Sequence, residues 1–230
     1  MNLNRIFKNL YKNNMISPLN KVFDRVVCIN LVERSDRKKL ITDQLNKFNI
    51  DFEFYNPVKF GFANIIVEDI MNSTHPKKRG YFNIFQPNEI GCAISHYSVI
   101  KKAYLEGVER LFIFEDDIML DNDFNNKFEL YYNNLPKEWD MMLLYSFLRV
   151  WEERMTPINE YWRNAHNNWS CVAYGMNRKF MELYIHAADE YFCIADLTTL
   201  RLQETLKCYV LQNFLVTPNL NESDIREIRK

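Results

Sequence analysis

The sequence lacks the features that mark several common classes of protein. Only five of its 230 residues are glycine, and neither a G-x-G-x-x-G nor a Walker A sequence is present, which argues against a glycine-rich phosphate loop. No apolar run approaches the roughly 18 residues that span a bilayer, and the N-terminus has no signal-peptide pattern. Lys and Arg (29) nearly balance Asp and Glu (30), so no general nucleic-acid-binding surface is expected.

Cysteine is also sparse, and its five copies are dispersed, odd in number and without a C-x-x-C pair. This pattern predicts buried, reduced thiols and a cytoplasmic location rather than a disulfide framework. Hydrophobic residues make up 47% of the chain and aromatic residues 15%, which is typical of a globular domain with a sizeable core. The cysteines are Cys28, Cys92, Cys171, Cys193 and Cys208.

Apolar strand-like runs alternate with amphipathic segments along most of the chain. This alternation predicts an α/β sandwich with a mostly parallel central sheet, formed by one domain over residues 23–230. The predicted strands are 26–31, 51–58, 110–114, 141–145 and 169–176, and the predicted helices are 36–48, 89–106, 124–132 and 178–191. A long aromatic loop is expected over 148–168, with Trp151, Trp162 and Trp169 as an acceptor-binding surface or a satellite core.

Residues 1–22 differ from the rest as a basic lead-in segment. Residues 1–23 contain four basic side chains and no acid, interleaved with apolar residues. Two interpretations stay open: a short interfacial helix that makes weak peripheral contact with anionic lipid, or a solvated lead-in helix. The basic residues are Arg5, Lys8, Lys12 and Lys21.

The acidic triplet Glu115-Asp116-Asp117 directly follows the apolar run 111–114. Three adjacent carboxylates repel one another and are costly to desolvate, so a strand leaving a core has no packing use for them. A divalent cation that prefers oxygen ligands would explain them. The alternative is a helix cap with surface charges.

Arg34 and Arg37 follow the first predicted strand, and ligands of α/β sheets bind at the carboxyl ends of strands. Guanidinium groups suit phosphate oxygens, so the arginines and the acidic triplet together predict a site for a metal-bound diphosphate. The alternative for the arginines is a solvated turn paired with Glu33 and Asp36.

Several motifs, in this order, resemble glycosyltransferase family 25, the lipooligosaccharide and collagen sugar transferases. The resemblance covers roughly residues 26–225. The motifs are Val27-Cys28-Ile29-Asn30-Leu31-x-x-Arg34-x-x-Arg37, Glu89-Ile90-Gly91-Cys92-Ala93-Ile94-Ser95-His96, Leu111-Phe112-Ile113-Phe114-Glu115-Asp116-Asp117, Glu138-Trp139-Asp140 and Ser223-Asp224-Ile225.

That resemblance implies a GT-A-like (Rossmann-like) fold and an inverting transfer from a nucleotide sugar, with UDP as the expected nucleotide. The expected acceptor is a glycan, lipid-linked or protein molecule, and the expected metal is Mn²⁺ or Mg²⁺. The triplet would serve as the DxD-like motif, with Asp117 as the preferred metal ligand and Glu115 and Asp224 as further ligands. The donor-binding candidates are Asn30, Arg34, Arg37, His96, Glu115 and Asp116.

Inversion requires a base that deprotonates the acceptor hydroxyl, and Asp196 is the candidate that the resemblance suggests. Asp224 is a second candidate, and the alternative for Asp196 is a helix N-cap. Spacing alone favours a core histidine at His96, and the resemblance makes a role near the nucleotide an equal alternative. Two rival functions stay open: a GT-A-fold protein that binds nucleotide or glycan without catalysis, and a metal-dependent phosphoryl-transfer enzyme.

Overall fold

The computed structural model describes residues 16–57, 87–147, 156–190 and 192–219. The helices of these residues are α1 Pro18–Val22, α2 Ser35–Lys47, α3 Pro87–Leu105, α4 Phe124–Asn133, α5 Arg178–Glu190 and α6 Ala195–Gln203. The strands are β1 Arg25–Ile29, β2 Glu53–Tyr55, β3 Arg110–Glu115, β4 Ile118–Leu120, β5 Met141–Leu143, β6 Trp162–Asn164, β7 Ala173–Asn177, β8 Cys208–Leu211 and β9 Val216–Pro218.

The central sheet has seven described strands in the order β2-β1-β3-β7-β5-β8-β6. Strands β2, β1 and β3 pair in parallel, as do β5 and β8. Strand β7 lies between β3 and β5 and is antiparallel to both, and β6 is antiparallel at the edge. Five of the seven strands therefore run in one direction, which confirms the predicted α/β class with a mostly parallel sheet.

Helices cover both faces of the sheet because successive strand side chains point to opposite sides. Phe112 and Phe114 of β3 pack with helices α1, α2 and α4 on one face. Leu111 and Ile113 of the same strand pack with α3, α5 and α6 on the other face. The result is the predicted α/β sandwich, with helices and an apolar core on each side of the sheet.

The structure differs from the predictions at the start of one helix and in the predicted aromatic loop. Helix α3 begins at Pro87, so Asn88 lies in its first turn and does not precede it. The predicted aromatic loop contains strand β6, and Trp162 is buried there with its indole Nε1 donating to the Tyr131 carbonyl at 2.7 Å. Trp162 is therefore a core residue and does not stack on a sugar, whereas Trp151 lies outside the described residues.

The end of the basic lead-in segment packs against the domain. Leu19 and Val22 of α1 are buried in the core, and the Ser17 hydroxyl donates to Asn125 Oδ1 at 2.9 Å. Residues 1–15, which carry three of its four basic side chains, lie outside the described residues. Among the described helices, none has the length and apolar character to cross a bilayer.

The sheet brings two predicted functional segments together. Strands β1 and β3 are parallel neighbours, and Ile29 at the end of β1 pairs with Glu115 at the end of β3. A small ribbon of β4 and β9 follows the triplet, and the Asn219 N–H after β9 donates to the Asp117 carbonyl at 2.6 Å. Asn30, the triplet and the last described residues therefore meet at one edge of the sheet.

Candidate active site

Asp116 anchors the acidic triplet to its neighbours. Its Oδ2 accepts a hydrogen bond from Asn30 Nδ2 at 2.6 Å, and its Oδ1 accepts one from Arg37 Nη1 at 3.2 Å. Burial raises the pKa of Asp116 despite the opposing effect of these two donors. Both carboxylate oxygens are thus engaged within the protein, and they tie the end of β3 to β1 and to the first turn of α2.

Asp117 has a different environment, because one of its oxygens is buried without a partner. Oδ2 lies 3.9 Å from Arg37 Nη1, but Oδ1 has no hydrogen-bond partner among the described residues. Burial, followed by the charge of Glu115, raises the pKa of Asp117 to about 7. An unpartnered buried carboxylate oxygen is unfavourable in the absence of a ligand, and it is the atom type that hard divalent cations bind.

Glu115 is held by a buried chain of polar side chains. His96 Nε2 lies 3.0 Å from Glu115 Oε1, and His96 Nδ1 lies 2.8 Å from the Tyr174 hydroxyl. The Cys92 thiol also donates to Glu115 Oε1, at 3.7 Å. His96 is buried, as a core histidine would be. It also contacts Glu115 of the triplet directly.

Asp196 lies in the first turn of α6. The N-cap position is Ile194, so Asp196 is not the N-cap that one interpretation of the sequence predicted. Burial raises the pKa of the Cys171 thiol, and the charges of Asp196 and Glu115 raise it further. Because the charges of Asp196 and Glu115 both act on this thiol, the two carboxylates lie near the same buried cysteine.

Arg34 and Asp224 are not joined to the triplet by the described contacts. Arg34 donates to both carboxylate oxygens of Asp36, at 3.1 and 2.9 Å, and this hydrogen bonding lowers the pKa of Asp36 to about 2. That pairing matches the solvated turn, whereas Arg37 reaches the triplet. Asp224 lies outside the described residues.

Cys92 and Tyr174 are site residues that the sequence interpretation missed. Cys92 lies four residues before His96 on a predicted helix, so their shared helix face was available as a signal. Tyr174 had no local signal, because its contact with His96 depends on β7 pairing with β3 across 60 or so residues of intervening chain.

The fold and this acidic edge define an α/β protein with a candidate anion and cation site at the ends of parallel strands. The family model described as glycosyltransferase family 25 (LPS biosynthesis protein) matches residues 23–159, more than half of the chain. The chain therefore belongs to glycosyltransferase family 25, and its predicted α/β sandwich with a mostly parallel central sheet is confirmed.

Curated relatives come from viruses, bacteria and animals. The procollagen lysyl hydroxylase and glycosyltransferase of Acanthamoeba polyphaga mimivirus is 23% identical over 201 residues, covering 75% of this chain and 22% of that protein. The human inactive glycosyltransferase 25 family member 3 is 27% identical over 130 residues, covering 53% and 22%. The lipooligosaccharide biosynthesis protein lic2B of Haemophilus influenzae is 30% identical over 94 residues, covering 40% and 33%.

The chain thus corresponds to between a fifth and a third of the length of these relatives. Among solved structures, mouse xyloside xylosyltransferase 1 aligns with 11% identity and a TM-score of 0.40, over 78% of this chain and 69% of that chain.

Proposed function

We propose that this chain is an inverting glycosyltransferase that moves a sugar from a UDP-sugar to a glycan, lipid-linked or protein acceptor with the help of Mn²⁺ or Mg²⁺. Membership of the family supports the reaction class. The observation that carries the metal-dependent site is Asp117, whose buried Oδ1 has no partner among the described residues. Weak membrane contact through residues 1–23 and a cytoplasmic location belong to the same proposal.

The residues around Asp117 fit a hard divalent ion. Asp117 and Glu115 offer carboxylate oxygens, which Mn²⁺ and Mg²⁺ prefer, and Asp224 follows the last described residue, Asn219, by only five positions. We assign Asp117 as the principal ligand, with Glu115 and Asp224 as the further candidates. A bound ion would supply the positive charge that stabilises the diphosphate leaving group.

The donor is assigned to the residues beside the metal site. Glu115 has a side-chain exposure of 22%, against 9% for Asp116, so Glu115 is the better placed of the two for the ribose hydroxyls. Asn30 and Arg37 fix Asp116 and thereby hold the triplet in place. Arg34 would contact the diphosphate by exchanging its exposed partner Asp36 for phosphate oxygens.

Asp196 is our candidate for the general base. It would accept the proton of the acceptor hydroxyl while that oxygen bonds to the anomeric carbon and the bond from that carbon to the diphosphate breaks. Asp196→Asn should lower turnover by roughly 10²–10⁴-fold while changing donor affinity little. Asp43→Asn, an exposed carboxylate on α2, serves as the matched control, and an equal loss of turnover and affinity would argue against the role.

A panel of nucleotide sugars tests the function without knowledge of the acceptor. The donor should raise the melting temperature only when Mn²⁺ is present, and the same mixture should slowly release free sugar and UDP. Some family relatives are named inactive, and Mn²⁺-dependent UDP binding with neither hydrolysis nor transfer would favour a binding protein. Release of inorganic phosphate instead would favour phosphoryl transfer.

A further inference from the structure

A second group of metal-ligand atoms lies at the acidic triplet. It differs from the site at Asp117 because it includes sulfur and nitrogen atoms. Cys92 and His96 are one turn apart on α3, and both reach Glu115 at the end of β3. One ligand atom from each of the three residues lies within 4.8 Å of the ligand atoms of the other two. The group combines a sulfur, a nitrogen and an oxygen ligand.

We propose that Cys92, His96 and Glu115 form a binding site for Zn²⁺, adjacent to the hard-cation site proposed at Asp117 and sharing Glu115 with its candidate ligands. Zinc sites with three protein ligands of these types keep a fourth position open, and tetrahedral Zn²⁺ places its ligand atoms roughly 3.3–3.6 Å apart. The two measured separations, 3.0 Å from Nε2 to Oε1 and 3.7 Å from Sγ to Oε1, lie close to those edges.

Tyr174 supplies the outer contact that a metal-binding histidine requires. His96 Nδ1 lies 2.8 Å from the Tyr174 hydroxyl, and both side chains are buried. When Nδ1 carries the proton and donates to this hydroxyl, Nε2 presents its lone pair toward Cys92 and Glu115. Such partners fix the tautomer and ring orientation of metal ligands.

The ligand set favours Zn²⁺ over the ions expected at Asp117. Thiolate and imidazole suit zinc, whereas Mn²⁺ and Mg²⁺ prefer oxygen. Without metal, the Cys92 thiol donates a hydrogen bond to Glu115 Oε1. Binding of Zn²⁺ would release the thiol proton to solvent and join the thiolate to the ion. Zn²⁺ would also hold Glu115 against α3 and inhibit sugar transfer, a consequence that alone rests on the proposed function.

Cobalt binding to the purified chain tests the site directly, because Co²⁺ replaces Zn²⁺ and gives a thiolate-to-metal charge-transfer band. We expect this band in the wild-type protein, its removal by one equivalent of Zn²⁺, and no removal by excess Mn²⁺. The wild-type protein without such a band would overturn the proposal, whatever the variants do.

Variants show which of the five cysteines binds the metal, and whether the metal occupies the zinc site or the site at Asp117. Cys92→Ser should abolish the band and weaken Zn²⁺ binding at least about 10-fold, whereas Cys208→Ser, at a buried cysteine of β8, should keep both. Asp117→Asn should also keep the band, since Asp117 belongs to the other site. An unchanged band in Cys92→Ser, or its loss in Asp117→Asn, would contradict the assignment. If Cys92→Ser fails to fold, His96→Gln should weaken Co²⁺ and Zn²⁺ binding at least about 10-fold in a titration, and unchanged affinity would contradict the assignment.

Discussion

At the scale of the residue, Asp117 opposes the stability of the folded chain. Its pKa is raised to about 7, first by burial and then by Glu115, whereas an unfolded aspartate titrates near pH 4. Between these two values the folded protein binds the proton and the unfolded chain does not, so stability falls as the pH rises from about 4 to 7 and stays lower above. Residues that bind ligands are commonly destabilising in this way.

We therefore predict that Asp117→Asn stabilises the metal-free protein by roughly 1–3 kcal/mol at about pH 8 and has little effect near pH 4. Urea denaturation at the two pH values measures the difference, and Asp43→Asn controls for the loss of an exposed charge. A variant less stable than the wild type at the higher pH would contradict the assigned environment of Asp117.

The contact between the Tyr174 hydroxyl and His96 should also contribute to stability. Tyr174→Phe removes the hydroxyl that contacts His96 Nδ1 and leaves a buried ring nitrogen without its partner. The expected loss is about 1–3 kcal/mol of unfolding free energy. Tyr132→Phe, whose hydroxyl contacts the exposed end of Arg110, should be close to neutral. Equal effects of the two substitutions would show that the His96 contact contributes nothing particular.

Among the secondary-structure elements, the close approach of Phe23, directly after α1, to strand β7 depends on the absence of a side chain at Gly175. A Cβ atom there would overlap the ring of Phe23, which itself packs against Phe112 and Trp139 with centroid separations of 5.0 and 6.0 Å. Gly175 thus lets the segment after α1 cover the middle of the sheet.

Gly175→Ala should destabilise the protein by roughly 1–3 kcal/mol because the buried Phe23 ring has to move. Phe23→Leu also destabilises, but it makes room for the new methyl group. The double variant should therefore lose less than the two single variants together. Strict additivity in thermal or urea denaturation would mean that the overlap is relieved elsewhere.

The elements that could be predicted from the sequence are those with a strong local pattern. The buried run of β3 and the apolar stripe of α3 were both predicted to within a few residues. The short ribbon of β4 and β9 was not, because three-residue strands carry almost no periodic signal. The position of β7 between β3 and β5 also escaped prediction, since it depends on pairing between distant segments.

At the scale of the whole molecule, Asp140 joins three strands at the end of the sheet opposite the triplet. It precedes β5, and its carboxylate accepts hydrogen bonds from the Lys207 N–H before β8, Asn177 at the end of β7, and Lys179. Burial favours its neutral form, but these donors prevail and lower its pKa. One end of the sheet is thus fastened by a satisfied carboxylate, and the other carries the unsatisfied one.

Asp140→Asn should cost about 1–3 kcal/mol of stability near neutral pH, because charge-assisted hydrogen bonds are lost. The stabilisation by Asp140 is present above the unfolded pKa of about 4 and disappears as the pH falls through the lowered folded pKa. The difference between variant and wild type should therefore shrink in acid. A difference that does not depend on pH would indicate that lost packing, not lost charge, is responsible.

The candidate site shows the same division between local and distant information. The acidic triplet and Arg37 were predicted to share an edge because each follows an apolar strand, and the structure joins Arg37 to Asp116 at 3.2 Å. The sequence could not predict that Asp117 Oδ1 is the oxygen without a partner. Asn30 and Arg37 donate to Asp116 instead, and this pairing depends on three-dimensional packing. The contact between Arg34 and Asp36 could be predicted because the two residues are only two positions apart in the chain.

Metal binding by Asp117 is tested by donor turnover measured during a Mn²⁺ titration of the wild type, Asp117→Asn and Asp43→Asn. If Asp117 holds the metal of a glycosyltransferase, Mn²⁺ should activate UDP-sugar hydrolysis or transfer in the wild type and in Asp43→Asn. Folded Asp117→Asn should show no activation over the same range. Near-wild-type, Mn²⁺-dependent turnover in Asp117→Asn would contradict the account.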